Sequence, residues 1–126
     1  MRLELVPLPV ADVDRAKAFY RERAGFHVDH DVSPGGGVRV VQLTPPGSAC
    51  SIVFGSGMGG VDQAPGSVRG LHLVVDDIAA ARAELADRGV EMGGIDDLGG
   101  ILFCGWSDPD GNSWTLQEIP PGTRLP

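Results

Sequence analysis

The sequence predicts an α+β domain built from two similar βαβββ modules in tandem. Three observations lead there. Several short runs alternate apolar and polar residues at strand spacing, while only two stretches carry helical spacing. The pattern of the first half begins again in the second at an offset of 65 residues. The 19 Gly and 10 Pro fall between periodic segments without a fixed period, which marks short strands joined by many turns.

The first module spans about residues 3–55. Leu3 to Val10 is an extended apolar run; Pro7 and Pro9 exclude a helix and, lacking an N–H donor, put the strand at a sheet edge or leave it to pair through its other groups. Asp12 is the N-cap of a helix from Val13 to Arg23, with Val13, Ala16, Phe19 and Tyr20 on one apolar face. Gly25 follows where a helix-ending glycine belongs. Phe26 to Val32 alternates with period two, Ser33 to Gly37 is a turn, and Val38 to Thr44 and Cys50 to Phe54 are further strands.

Residues 55–67 form a Gly-rich linker, and about 68–119 form the second module. Leu71 to Val75 is a strand, Asp77 caps a helix from Ile78 to Arg88, and Gly89 stops it. Ile101 to Trp106 and Ser113 to Ile119 are strands joined by the turn Asp108-Pro109-Asp110-Gly111-Asn112. Residues 120–126 read as a loosely ordered tail. The repeat lays Val6 to Val13 over Leu71 to Ile78, Ala16 and Ala18 over Ala81 and Ala83, and Arg23 over Arg88. Each half therefore reads as strand, helix, then two or three strands.

Composition removes several function classes. The 126 residues make one domain with a single core. Ten Lys and Arg against 17 Asp and Glu give a net charge of −7, which repels phosphate backbones and argues against nucleic acid. No apolar run approaches the roughly 20 residues of a membrane span, and the first residues lack the pattern of a signal peptide. Cys50 and Cys104 are too few for a disulfide framework and read as buried, inert thiols. A cytoplasmic location is expected.

Asp12-(x)2-Arg15-Ala16-(x)2-Phe19-Tyr20 ahead of Gly25-Phe26, together with Ser107-Asp108-Pro109-Asp110-Gly111-Asn112 before Trp114-Thr115-Leu116-Gln117-Glu118, resembles the vicinal oxygen chelate superfamily. Glyoxalase I, bleomycin-resistance proteins, fosfomycin-resistance enzymes and extradiol dioxygenases belong to it. The resemblance runs from Leu3 to about Ile119 and implies paired modules whose sheets curl into a cup around a pocket, and a homodimer. In metal-dependent members the cup floor carries His, Gln and Glu ligands. Those positions fall here on Leu5, Gly70, Thr115 and either Ile52 or Val53. Leu and Gly carry no ligand atom and a neutral hydroxyl is a poor substitute for carboxylate, so no metal and no cofactor is expected.

His72 lies two residues beyond Gly70, and Gln117 two beyond Thr115, so each shares the strand face that would line the cup. His72, Thr115 and Gln117 then form a polar fringe orienting an apolar ligand, with Leu5 and Ile52 as apolar floor. His72 is the one candidate general base; its structural alternative is a histidine hydrogen-bonded across the sheet. Trp106 is either a stacking wall for a flat ligand or a cap on the core. Gly55-Ser56-Gly57-Met58-Gly59-Gly60 formally matches G-x-G-x-x-G, yet no helix follows; it reads as a linker or lid, with Met58 at its tip contacting ligand or solvent. His27 and His30, three apart, are expected on opposite faces of their strand, and Asp29 and Asp31 on the face of His27 as a solvated acidic edge.

The leading expectation is a metal-independent protein that sequesters a hydrophobic or aromatic small molecule in the cup, as the bleomycin-resistance branch of the resembled superfamily does in antibiotic resistance. A metal-independent isomerase or cyclase acting on a natural product, with His72 as base, is the second. A glyoxalase-like lyase or dioxygenase with ligands placed elsewhere is the third.

Overall fold

The computed structural model describes residues 1–58 and 63–120; the tail expected to be loose falls outside them beyond residue 120, as do linker residues 59–62. Two compact units result, the first containing Met1–Val68 and Asp108–Asn112, the second Arg69–Ser107 and the described residues from Ser113 onward.

In the first unit β1 (Leu5–Pro7) is followed by α1 (Val13–Ala18), which continues as a π-helical turn over Phe19–Arg23. Then come β2 (His27–Gly35), β3 (Val38–Thr44) and β4 (Ser51–Ser56), in a sheet ordered β1-β4-β3-β2. Asp12 caps α1 as expected, its Oδ1 accepting from the Arg15 N–H at 3.1 Å. The end of the helix differs from the α-helical reading. The Ala24 N–H donates to the Phe19 carbonyl, five residues back, and the Phe26 N–H to that of Tyr20. Gly25 then leaves with φ of +77°, and Tyr20 and Phe26 meet in the core at 5.4 Å between ring centroids.

Of the two placements its prolines allow, β1 takes the sheet edge, pairing parallel with β4, but it is shorter than the apolar run. The Leu8 N–H extends the pairing to Val53, after which the Pro9 carbonyl accepts from Gly66 N–H and from the Asn112 side chain. β2 in turn is longer than expected. It continues through Ser33 and Pro34 to pair Gly35 with Val38, leaving Gly36 and Gly37, at φ of +65° and +76°, to make the reversal.

The second unit repeats the order: β5 (Leu71–Val74), α2 (Ile78–Asp87), β6 (Ile95–Leu98), β7 (Ile101–Ser107) and β8 (Ser113–Glu118), arranged β5-β8-β7-β6. Here too the first strand pairs parallel with the last. Asp77 caps α2 through the Ala80 N–H at 3.0 Å. β6 is the strand that the sequence pattern does not display. Its four residues are all exposed, so Ile95-Asp96-Asp97-Leu98 shows no apolar alternation between its flanking glycine pairs. Two carboxylates on this edge strand also discourage pairing with another chain.

Each sheet buries the face toward its helix. Val41, Leu43, Ile52 and Phe54 pack with Leu8, Ala16 and Tyr20 in the first unit; Cys104, Trp106, Trp114 and Leu116 pack with Ile78 and Leu85 in the second. Asp108–Asn112 contributes to the first unit. The Asp108 carboxylate accepts from the Tyr20 hydroxyl, the Asn112 amide and the backbone N–H groups of Asp110 and Asn112. No helix among the described residues is long and apolar enough to cross a membrane.

Candidate functional site

The sheet faces turned away from the helices carry His72, Thr115 and Gln117 in the second unit and Asp29, Gln42 and Thr44 in the first. In the second unit His72 lies opposite Thr115, and Val74 opposite Gln117. Gly105 and Phe103 continue those rows on β7. His72 Nδ1 meets Gln117 Oε1 at 2.7 Å. An amide oxygen only accepts, so Nδ1 carries the proton of this bond, and in the neutral ring the lone pair is on Nε2. Phe103 abuts the His72 ring edge-on at 6.2 Å. His72, Thr115 and Gln117 therefore share one face, in the arrangement their spacing predicts. On the same face apolar side chains are left in the open, Val74 on β5 at 68% and Leu98 on the far edge strand β6 at 66% exposure.

Trp106 stands on the other side of this sheet. It pairs with Trp114, is 4% exposed, and stacks on the Trp114 ring at 5.3 Å with the planes 6° apart. It is a wall of the core and does not join the His72 row.

In the first unit Leu5 pairs with Ser51, and Pro7 with Val53, which puts Leu5, Ser51 and Val53 on the open face. Ile52 points the other way, 3% exposed among the core residues, so of the two candidates for that position Val53 is the one beside Leu5. Met58 is half-buried, bordering a pocket of about 110 Å³ with Leu8, Val10 and Gly55. A drug-sized ligand needs about 300 Å³ or more, so this pocket alone holds only a fragment.

A β-bulge rearranges β2. Val28 pairs with Leu43 and His30 with Gln42, so Asp29 is an extra residue in the ladder. The bulge reverses the facing of the residues beyond it. His27, opposite Thr44, and His30, opposite Gln42, lie on the same face, not on opposite faces as strict alternation predicts. Asp29 stays on that face, where its Oδ2 accepts from Thr44 Oγ1 at 2.5 Å and, more weakly, from Gln42 Nε2 at 3.4 Å. Thr44 Oγ1 also meets Ser51 Oγ at 2.6 Å. Asp31, expected beside Asp29, is turned to the helix side. It joins Lys17 Nζ at 2.7 Å and the Arg39 guanidinium at 3.0 and 3.1 Å, while Arg39 also binds Asp14. The hydrogen bonds from Arg39 and then Lys17 hold the Asp31 carboxyl well below the usual carboxylate range, and Asp31 and then Asp14 raise the Arg39 guanidinium in turn.

The positions that the family resemblance assigns to metal ligands carry Leu5 and Val53 in the first unit and Gly70 and Thr115 in the second, with one neutral hydroxyl and no imidazole or carboxylate among them. These residues do not fit a divalent ion, which takes about three protein ligands even in an open site. Among the described residues no group of three or more His, Cys, Asp or Glu side chains is placed to hold one elsewhere.

The model of the Glyoxalase/Bleomycin resistance protein/Dioxygenase superfamily matches residues 2–116. The chain belongs to that superfamily. Several crystal structures share its fold and more of its sequence than fold alone implies. TnmS3, an antibiotic binding protein from Streptomyces sp. CB03234, is 36% identical over 95% of this chain and 97% of its own, with a TM-score of 0.83. A glyoxalase/bleomycin resistance protein from the same Streptomyces is 37% identical over 91% of this chain and 98% of its own, with a TM-score of 0.77. A superfamily member from Sphaerobacter thermophilus DSM 20745 is 27% identical over 94% and 98%, with a TM-score of 0.79. No functionally curated protein matches the chain in sequence.

Proposed function

We propose that this superfamily member binds a hydrophobic or aromatic small molecule, of the antibiotic class, and sequesters it unchanged without a metal ion. The observation that carries the reading is that the positions assigned to metal ligands by the family resemblance hold Leu5, Val53 and Thr115 on open sheet faces and Gly70 just ahead of β5, none of them an imidazole or carboxylate. Removing the Lewis acid leaves apolar surface with a few hydrogen-bonding groups, the usual make-up of a small-molecule site. The similarity to an antibiotic binding protein supports it. A second copy of the chain is the natural source of further wall for the ligand, since Val74 and Leu98 are left open. A cytoplasmic homodimer is part of the proposal.

One geometric feature favours a second reading. The His72–Gln117 hydrogen bond fixes the ring and leaves Nε2 as a basic nitrogen at the exposed face, which suits a general base in a metal-independent isomerase or cyclase. Incubation with a panel of aromatic antibiotics, followed by equilibrium dialysis and mass and chromatographic analysis of the recovered compounds, separates the two. Sequestration predicts retention of an unaltered compound, with binding surviving in His72→Ala. Catalysis predicts a product of altered mass or retention time, and a rate falling by about 10² or more in the variant. Absence of any retained or altered compound contradicts both.

A further inference from the structure

We infer that Asp29 selects the ligand: its free carboxylate oxygen takes a hydrogen-bond donor of the bound molecule, a hydroxyl or an ammonium, on the open face of the first sheet. The inference rests on the proposed small-molecule binding and names the chemistry that binding prefers. The β2 bulge is what delivers the carboxylate to this face, set among Leu5, Val53, Gln42, Thr44 and Ser51.

The hydrogen bonds around Asp29 have one consistent direction. An ionised carboxylate can only accept, so Thr44 donates to Oδ2. With its single proton so committed, the Thr44 oxygen accepts from Ser51, and the Ser51 proton is committed in turn. The Gln42 amide nitrogen also points its hydrogens at Oδ2. The Thr44 hydroxyl and the Gln42 amide are thus both directed at Oδ2. Oδ1 accepts no hydrogen bond among the described residues; the ring nitrogen His27 Nε2 stands 3.8 Å from it, beyond hydrogen-bonding distance. The Asp29 side chain keeps 22% of its surface, enough for a ligand group to reach it and little enough for a donor there to count. A carbonyl or carboxylate placed at the same spot would face lone pairs only.

Simple naphthalenes test this on the whole chain. Kd values are measured for 2-naphthol, 2-naphthylmethylammonium, 2-methoxynaphthalene and 2-naphthoate by intrinsic-fluorescence titration. The two donors are expected to bind about tenfold or more tighter than the methyl ether, with naphthoate weakest. If the ammonium leads and its advantage shrinks with salt, charge pairing dominates; if naphthol leads at all salt concentrations, the neutral hydrogen bond does. In Asp29→Asn the amide presents an N–H where Oδ1 stood, so the preference should invert toward the ether and naphthoate. A misfolded variant loses all binding and cannot invert a preference. Equal Kd values for naphthol and its ether, or an unchanged preference in the variant, overturn the role of Asp29 while leaving sequestration standing. Binding of none of the four, alongside retention of an antibiotic from the panel, also overturns it; failure of both sets removes the small-molecule reading itself.

Discussion

The Tyr20 hydroxyl donates to Asp108 Oδ2 at 2.7 Å, joining residues 88 positions apart. Tyr20 belongs to the first motif that carries the family resemblance, and Asp108 to the second. Two more bonds link the same stretches, Arg15 to Asp110 at 2.9 Å and the Ala11 N–H to Asp110 at 3.2 Å. The first motif and the Asp108–Asn112 turn of the second are therefore parts of one structural clasp in the first unit, which is why they report the fold and leave the chemistry open.

That clasp carries stability. Tyr20 is fully buried and Asp108 nearly so, and the carboxylate keeps its other donors when the hydroxyl is removed. Tyr20→Phe should cost about 1–3 kcal/mol, and Asp108→Ala, which strands several donors together, about 3 kcal/mol or more. Urea unfolding read by tryptophan fluorescence measures both. A neutral effect of Asp108→Ala would contradict the clasp.

Gly66 belongs to the same region. Its φ is +78°, and an added Cβ would lie 2.0 Å from the Asp110 carbonyl oxygen. Gly66→Ala should therefore destabilise by about 2 kcal/mol or more, from backbone strain and overlap with backbone that has little room to move. The shift in the urea midpoint against Gly47→Ala is the control, since Gly47 shares the positive φ but meets nothing within 4 Å.

Asp31 makes stability depend on acid. Its folded carboxyl titrates below the unfolded value of 3.8 because Arg39 and Lys17 hydrogen-bond the ionised form. The stabilisation is therefore fully present above that value and is lost as pH falls from about 5 through 3.8 toward the lower folded pKa. In Asp31→Asn this contribution is absent throughout. The stability gap between wild type and variant should be widest near pH 7 and close on acidification, as urea midpoints at pH 7, 5, 4 and 3 would register. A gap independent of pH would count against the ion-pair cluster.

Much of the fold is legible in the sequence because local signals agree with tertiary demands. Asp12 and Asp77 cap, Gly25 and Gly89 end helical segments, and the prolines of β1 lie at an edge. The features that escape notice do so for a physical reason. β6 is exposed along its length, so burial imprints no pattern on it. The bulge at Asp29 adds one residue to a strand whose alternation looks regular, and it swaps the faces of His30 and Asp31. Of the open faces, parity locates His72, Thr115 and Gln117 correctly because β5 and β8 are unbroken. On β4 the alternatives Ile52 and Val53 are adjacent, and only the register with Leu5 separates them. Asp29 required the structure.

The most direct test of the account is ligand retention by protein stripped of metal. The antibiotic retained in dialysis is titrated into chelator-treated protein, then again with one equivalent of zinc, nickel, manganese or iron(II) added. Metal-free sequestration predicts a Kd of about 1 μM or tighter in every case, equal within error, and recovery of the same molecule. Binding that appears only with a metal ion, or a compound altered in its presence, would contradict the account.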